Sequence, residues 1–307
     1  MMMHFLAALL LALPVAWPMY QFAPNHEAVF DDTASPVAWQ RPLPGKVNGG
    51  LAIVGGVVYV ESFDHRLYAL DARTGAVRWS ADLGNIAMTA PIVADGLVIA
   101  GTGSNEPLIE TPAQTIWGRK KGDAVVALSA KTGAVVWQLR TVGEDMPTPA
   151  LVHVRGVDAI VFANGDNHLR ALRLRDGKPL WAIPTQGIST MSSAAAVGNT
   201  IYAISGVPVP GVHHDELYAV NADTGAYLWR SPVGNADCSP TVADGMVFVE
   251  GSGNDPRRPE YSADFNDIVA VDATTGKLRW SWRSGWGYLT PTASHEQAIA
   301  GLEVGGV

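Results

Sequence analysis

The sequence holds a single cysteine, Cys238, among 307 residues. That count excludes an intrachain disulfide, a cysteine-rich zinc site and an iron–sulfur cluster. Charge is also scarce, at 16% of residues against about 25% in an ordinary soluble chain. The basic sign is the scarcer one, 21 Lys and Arg against 29 Asp and Glu. Nucleic-acid binding needs a clustered basic surface, so this balance excludes it. Long apolar runs are lacking too. Phe5–Ala16 is an uncharged stretch of twelve, too short for a bilayer span of roughly 20 residues but suited to the apolar part of an export leader. Residues 1–16 are therefore expected to be a signal peptide, and the mature chain to be periplasmic or secreted without a transmembrane anchor. No nucleophile elbow, phosphate loop, dinucleotide fingerprint or HExxH motif is present.

What the chain does have is 32 Gly, 20 Pro and 48% apolar residues, a composition for many short elements joined by turns around a substantial core. Five segments align without gaps: Tyr68–Trp79, Val126–Trp137, Arg170–Trp181, Tyr218–Trp229 and Val269–Trp280. Each reads strand, tight turn, strand, with Gly75, Gly133, Gly177, Gly225 and Gly276 placed for a positive φ. The tryptophan follows four residues later each time, at Trp79, Trp137, Trp181, Trp229 and Trp280. A second hairpin begins ten to twelve residues after each tryptophan, as at Ala90 and Ser193.

Four antiparallel strands repeating about every 50 residues predict an all-β propeller, with the tryptophans as apolar plates between blades. Blades are expected at about 47–82, 88–140, 147–183, 190–231 and 238–283, with a partial sixth at 289–307. Residues 17–46 read as an N-terminal extension whose Trp39 resembles the outer strand of a blade. Two arrangements stay open: Trp39 closes a ring with the C-terminal unit through one borrowed strand, or the chain is an arc of a larger propeller.

The ALDxxTGxxxW repeat, the PxVADGxV strand pairs and the WPMYQF opening at Trp17 resemble the pyrroloquinoline-quinone-type propeller repeat proteins, the quinoprotein alcohol dehydrogenase-like superfamily. Its members usually have seven or eight blades. They divide into dehydrogenases that hold the quinone and a calcium ion, and non-catalytic propellers such as the lipoprotein of the outer-membrane barrel assembly machine. The resemblance also implies where an enzyme's site would lie. Gly101–Pro107 and Gly122–Asp123 are similar to the calcium- and cofactor-binding run, making Asn105, Asp123 and Asn254 the candidate cofactor residues, with Asn105 and Asn254 the candidate calcium ligands. Ser104 stands where the enzymes carry their asparagine. Thr148 falls at the catalytic base, and Asp145 is the nearest carboxylate. The enzymes' vicinal disulfide needs two cysteines.

The strand-two to strand-three links are long at Thr102–Asp123, Gly206–Glu216 and Ser252–Asp267, and all three are expected on one face, where binding residues concentrate. The expected function is an exported, non-catalytic scaffold that needs no cofactor and binds a protein or peptide on that face. The alternative is a dehydrogenase dependent on pyrroloquinoline quinone and Ca²⁺. His213-His214-Asp215-Glu216 reads as a solvated loop, because adjacent side chains of an extended segment point apart.

Overall fold

Two small turns, repeated, build this chain. In the first, adjacent left-handed residues close a hairpin, as at Asp95 and Gly96 (φ 51° and 76°) or Asp244 and Gly245 (50° and 72°). This is the geometry that matches strand twist in a two-residue loop. In the second, the Asp71 N–H donates to the Ala76 carbonyl (2.7 Å) and the Gly75 N–H to the Asp71 carbonyl (2.8 Å). The Asp71 carboxylate accepts the Thr74 N–H (3.0 Å) and hydroxyl (2.9 Å). The register slips by one residue between Ala69 and Leu70. This bulge turns Val77 and Trp79 to opposite faces of the sheet.

The computed structural model describes residues 39–47, 49–87, 90–103, 124–141, 147–187, 189, 192–206, 215–233, 238–251, 267–283, 288–293 and 298–303. They form five four-stranded antiparallel sheets and one pair of strands. The first sheet is β1 (Leu51–Val54), β2 (Val57–Ser62), β3 (Arg66–Asp71) and β4 (Val77–Asp82). The second is β5 (Ile92–Ala94), β6 (Leu97–Gly101), β7 (Ala124–Ser129) and β8 (Val135–Arg140). The third is β9 (Ala150–Val154), β10 (Val157–Ala163), β11 (His168–Arg173) and β12 (Pro179–Pro184). The fourth is β13 (Ala195–Val197), β14 (Thr200–Ser205), β15 (Glu216–Asn221) and β16 (Tyr227–Ser231). The fifth is β17 (Thr241–Ala243), β18 (Met246–Gly251), β19 (Asp267–Asp272) and β20 (Leu278–Arg283). The pair is β21 (Tyr288–Ala293) with β22 (Ala298–Glu303). First strands meet first strands: β1 abuts β5, β9 abuts β13, β13 abuts β17 and β17 abuts β21. The first strands therefore line the inside, and each sheet runs outward to its fourth strand. Among the described residues no helix is long and apolar enough to cross a membrane.

The core lies between sheets. Leu67 and Ala69 pack with Val98, Ala100 and Val126 of the second sheet, and Ile99, Val125 and Ala127 with Ile160, Phe162 and Leu172 of the third. The tryptophans clamp these junctions from outside. Each indole N–H reaches into the next sheet: Trp39 to the Ala72 carbonyl (2.9 Å), Trp79 to Ala130 (3.0 Å), Trp137 to Leu174 (2.8 Å), Trp181 to Ala222 (2.8 Å) and Trp229 to Ala273 (2.9 Å). Each ring covers the turn glycine of that sheet. A Cβ on Gly75, Gly133 or Gly177 would sit 2.6 Å from the indole Cε3 of Trp39, Trp79 or Trp137, and Gly225 and Gly276 likewise lie under Trp181 and Trp229. Glycine is thus required twice, for its positive φ and for its missing side chain. Trp280 keeps the repeat's phase on β20 but is 40% exposed, and Trp282 is 57% exposed.

The second turn carries a pH signature. The Arg78 guanidinium on Asp71, and Arg279 on Asp272 (2.5 Å), with the threonine donors, hold both carboxyls at about 2. Their folded values lie below the unfolded value of about 4. What they contribute is therefore complete above pH about 4 and is lost as pH falls through about 2. Carboxyl ¹³C titration should show Asp272 with a midpoint near 2, and Arg279→Ala should move it upward. A midpoint that stays near 2 without the guanidinium would refute this cause.

Candidate functional site

Links from one sheet to the next cross over the β2–β3 type of turn. The Leu83 N–H donates to the His65 carbonyl (2.7 Å), the Thr185 N–H to Asn167 (2.8 Å) and the Gly103 N–H to Ile86 (2.9 Å). Both kinds of connection therefore share one face, and the T-G turns occupy the other. The described ends of the long loops, Thr102 with Ala124, Gly206 with Asp215 and Gly251 with Asp267, stand at the same second-to-third strand junction. The three loops themselves lie almost wholly outside the described residues.

Where the second strands emerge on this face, the register places Ser62, Thr102, Asn164 and Ser205 at equivalent positions. All four are buried. Thr102 Oγ1 accepts the Ala124 N–H (3.0 Å), and Asn164 Oδ1 accepts from Arg170 Nη1 (2.9 Å). Glu61 and Glu250 occupy the preceding position and are buried as well. The short turns of the first and third sheets match each other: His65 and Asn167 both take positive φ, 68° and 62°. Asp64 accepts the Tyr68 hydroxyl, and Asp166 accepts from Arg170 (2.5 Å). Arg170 also lines a cleft of about 260 Å³ with Arg140, Leu139 and Trp181. Asp166 and Asn164 already engage its guanidinium, so it offers no free cation to an anionic ligand.

A second set of polar residues ties the first strands together. The Ala90 N–H donates to Thr148 Oγ1 (3.1 Å), and that hydroxyl donates to the Ala90 carbonyl (3.0 Å). The Thr148 N–H donates to Ser193 Oγ (2.9 Å), and the Ser193 N–H to Ser239 Oγ (2.9 Å). Thr148, Ser193 and Ser239 are all buried. One hydroxyl per sheet thus bonds the equivalent backbone position of the sheet before it. This belt was missed in the sequence, though its signal stood one residue ahead of the strand-one motif, in Ala90-Pro91, Thr148-Pro149, Ser193-Ala194 and Ser239-Pro240.

Asn105, Asp123, Asp145 and Asn254, the residues implied for a quinone and calcium centre, lie outside the described residues, as do His213 and His214. Of the positions that the resemblance implies for that centre, Thr148 is among the described residues. Thr148, which the resemblance sets at the base's place, bonds backbone with its hydroxyl, and a hydroxyl already committed to Ala90 cannot take a substrate proton as a carboxylate would. Cys238 is buried, and its sulfur accepts the Glu250 N–H (3.2 Å). Among the described residues no three His, Cys, Asp or Glu side chains come together as a metal site. Burial pushes the Tyr218 phenol up, so it stays neutral.

Residues 28–209 and 187–301 match the family model described as outer membrane protein assembly factor BamB. Tetrathionate hydrolase of Acidithiobacillus ferrooxidans is 29% identical over 257 residues, covering 79% of this chain and 49% of that protein. Outer membrane protein assembly factor BamB of Yersinia pestis is 26% identical over 280 residues, covering 83% and 61%. Quinohemoprotein alcohol dehydrogenases of Pseudomonas putida are further relatives. The chain thus spans about half to three-fifths of the first two relatives' length. Among solved structures, BamB from Moraxella catarrhalis superposes with a TM-score of 0.65 at 22% identity, over 86% of this chain and 71% of that one. This likeness establishes the propeller fold.

Proposed function

The chain belongs to the outer membrane protein assembly factor BamB family of pyrroloquinoline-quinone-type repeat propellers, and from that premise we propose that it is a non-catalytic scaffold of the cell envelope. Its long-loop face engages a protein or an extended peptide. One observation carries the reading: Thr148, at the position of the quinoprotein base, is a buried clamp on Ala90, and Ser193 and Ser239 repeat its role in the next two sheets. A position used the same way in successive blades serves the ring rather than a single catalytic centre. The buried rim residues Thr102 and Asn164 likewise bond local backbone and side chains, which leaves recognition to the loops above them. The proposed location is the periplasm, with processing before Trp17.

The test is reconstitution of the purified chain with pyrroloquinoline quinone and Ca²⁺, followed by cofactor absorbance and alcohol-driven dye reduction. No stoichiometric binding and no turnover are expected. Tight equimolar quinone binding with turnover would establish the dehydrogenase reading, which the quinohemoprotein relatives favour. Intact mass of the chain from a periplasmic fraction should begin at Trp17; an unprocessed cytoplasmic chain would overturn the envelope assignment.

A further inference from the structure

Two tyrosines repeat one wall in different blades. Tyr59 and Tyr202 stand at the same register position, opposite Ala69 and Ala219. Each lies 5.9 Å from the tryptophan of its own sheet, Trp79 or Trp229. Each donates its hydroxyl to the carbonyl that already accepts that tryptophan's indole N–H, Ala130 (3.3 Å) or Ala273 (3.2 Å). What differs is the charge beside the wall. At the junction of the first and second sheets the residue before the tryptophan is Arg78 and the residue after the acceptor is Lys131. The corresponding pairs at the next three junctions are Val136 and Arg175, Leu180 and Asp223, and Leu228 and Thr274. Of these four junctions only the first sets two cations beside the tyrosine and tryptophan.

These four side chains line one cleft of about 310 Å³ together with Val54 and Val57, at the T-G turn face. Lys131 is exposed, and no carboxylate among the described residues pairs with it. Arg78 donates from Nη2 to the Gly56 carbonyl (3.2 Å) and the Asp71 carboxylate (2.7 Å), which leaves Nη1 and Nε without an acceptor among the described residues. Arg170, by contrast, has both Nη groups engaged. Asp71 offsets one of the two cations, so the cleft keeps a single positive charge. That charge matches a monoanion, whereas a phosphate dianion would exceed it. In a chain of net charge −8, a locally positive cleft is where an anion is drawn. Val54, Val57, Tyr59 and Trp79 supply apolar walls, which suit a ligand with a hydrocarbon body. We propose that this cleft binds a small monocarboxylate with a compact aromatic body, of the aryl-alkanoic acid class. The carboxylate lies between Lys131 Nζ and Arg78 Nη1, and the ring packs on Trp79 and Tyr59. The cleft is on the face opposite the long loops, so a ligand here does not compete with a partner there.

The test titrates the full chain with 3-phenylpropionate at neutral pH and low salt, following the indole N–H resonances. The Trp79 resonance should shift saturably, with a dissociation constant of about 1 mM, the ordinary yield of about eleven heavy atoms. Trp229, whose tyrosine wall has Leu228 and Thr274 in place of the cations, should not move. Lys131→Ala, at an exposed position that the fold does not use, should weaken binding about fivefold, and Lys131→Arg should restore it. 3-Phenylpropanol, the same body without the charge, should bind about tenfold more weakly than the acid. A Trp79 resonance that stays fixed, an equal shift at Trp229, an unchanged affinity in Lys131→Ala or an alcohol that binds as well as the acid would overturn the proposal. These readouts do not depend on whether the ring binds a protein or a quinone.

Discussion

Trp181→Ala should destabilise the chain by about 3–5 kcal/mol, the cost of removing a large buried aromatic plate, and lower its melting temperature by roughly 10 °C. Trp181 is buried, covers Gly225 and bonds the Ala222 carbonyl across the junction of the third and fourth sheets. Trp181→Phe keeps most of the plate and loses only the donor, leaving one carbonyl short of a partner, and should cost about 1–2 kcal/mol. Urea denaturation of both variants separates the two contributions. If Trp181→Ala melts within a degree or two of the parent, the junction is held by its inner strands alone and the clamp has no energetic role. Because blades contact only their neighbours, the damage should be local. Amides of the third and fourth sheets should lose protection before those of the first.

Thr148→Val should cost about 2–4 kcal/mol, since an isosteric side chain removes the hydroxyl and strands both the N–H and the carbonyl of Ala90 in a buried place. Thr148→Ser keeps the hydroxyl and should recover most of that loss. Hydrogen exchange at the Ala90 amide, which donates to Thr148 Oγ1, should accelerate in the valine variant. Equal stability of the valine and serine variants would show that water satisfies Ala90 and that the belt is incidental. The experiment also bears on function. A catalytic base position tolerates substitution with little change in stability, whereas a clamp does not.

The regular part of this architecture was readable because its determinants are local. Gly75, Gly133, Gly177, Gly225 and Gly276 answer to a turn five residues long, and that turn sets the phase of the following tryptophan. The belt of Thr148, Ser193 and Ser239 was less visible, since serine or threonine before a strand suits many loops and its partner lies 45 or more residues away. Asn105, Asp123, Asp145 and Asn254 were legible only through a family resemblance, and what the described structure adds about that site comes from Thr148.

The chain's own sequence determined that it would be all-β, where its hairpins turn and in what register, because backbone handedness and side-chain caps act over a few residues. Tertiary structure decided which surfaces those hairpins join. Nothing in the repeat says that Trp79 reaches the Ala130 carbonyl rather than its own sheet, or that Trp280 stands exposed. It likewise made the Thr148 hydroxyl a clamp on Ala90, because whether a hydroxyl is free or committed depends on which buried backbone groups packing brings within about 3 Å of it.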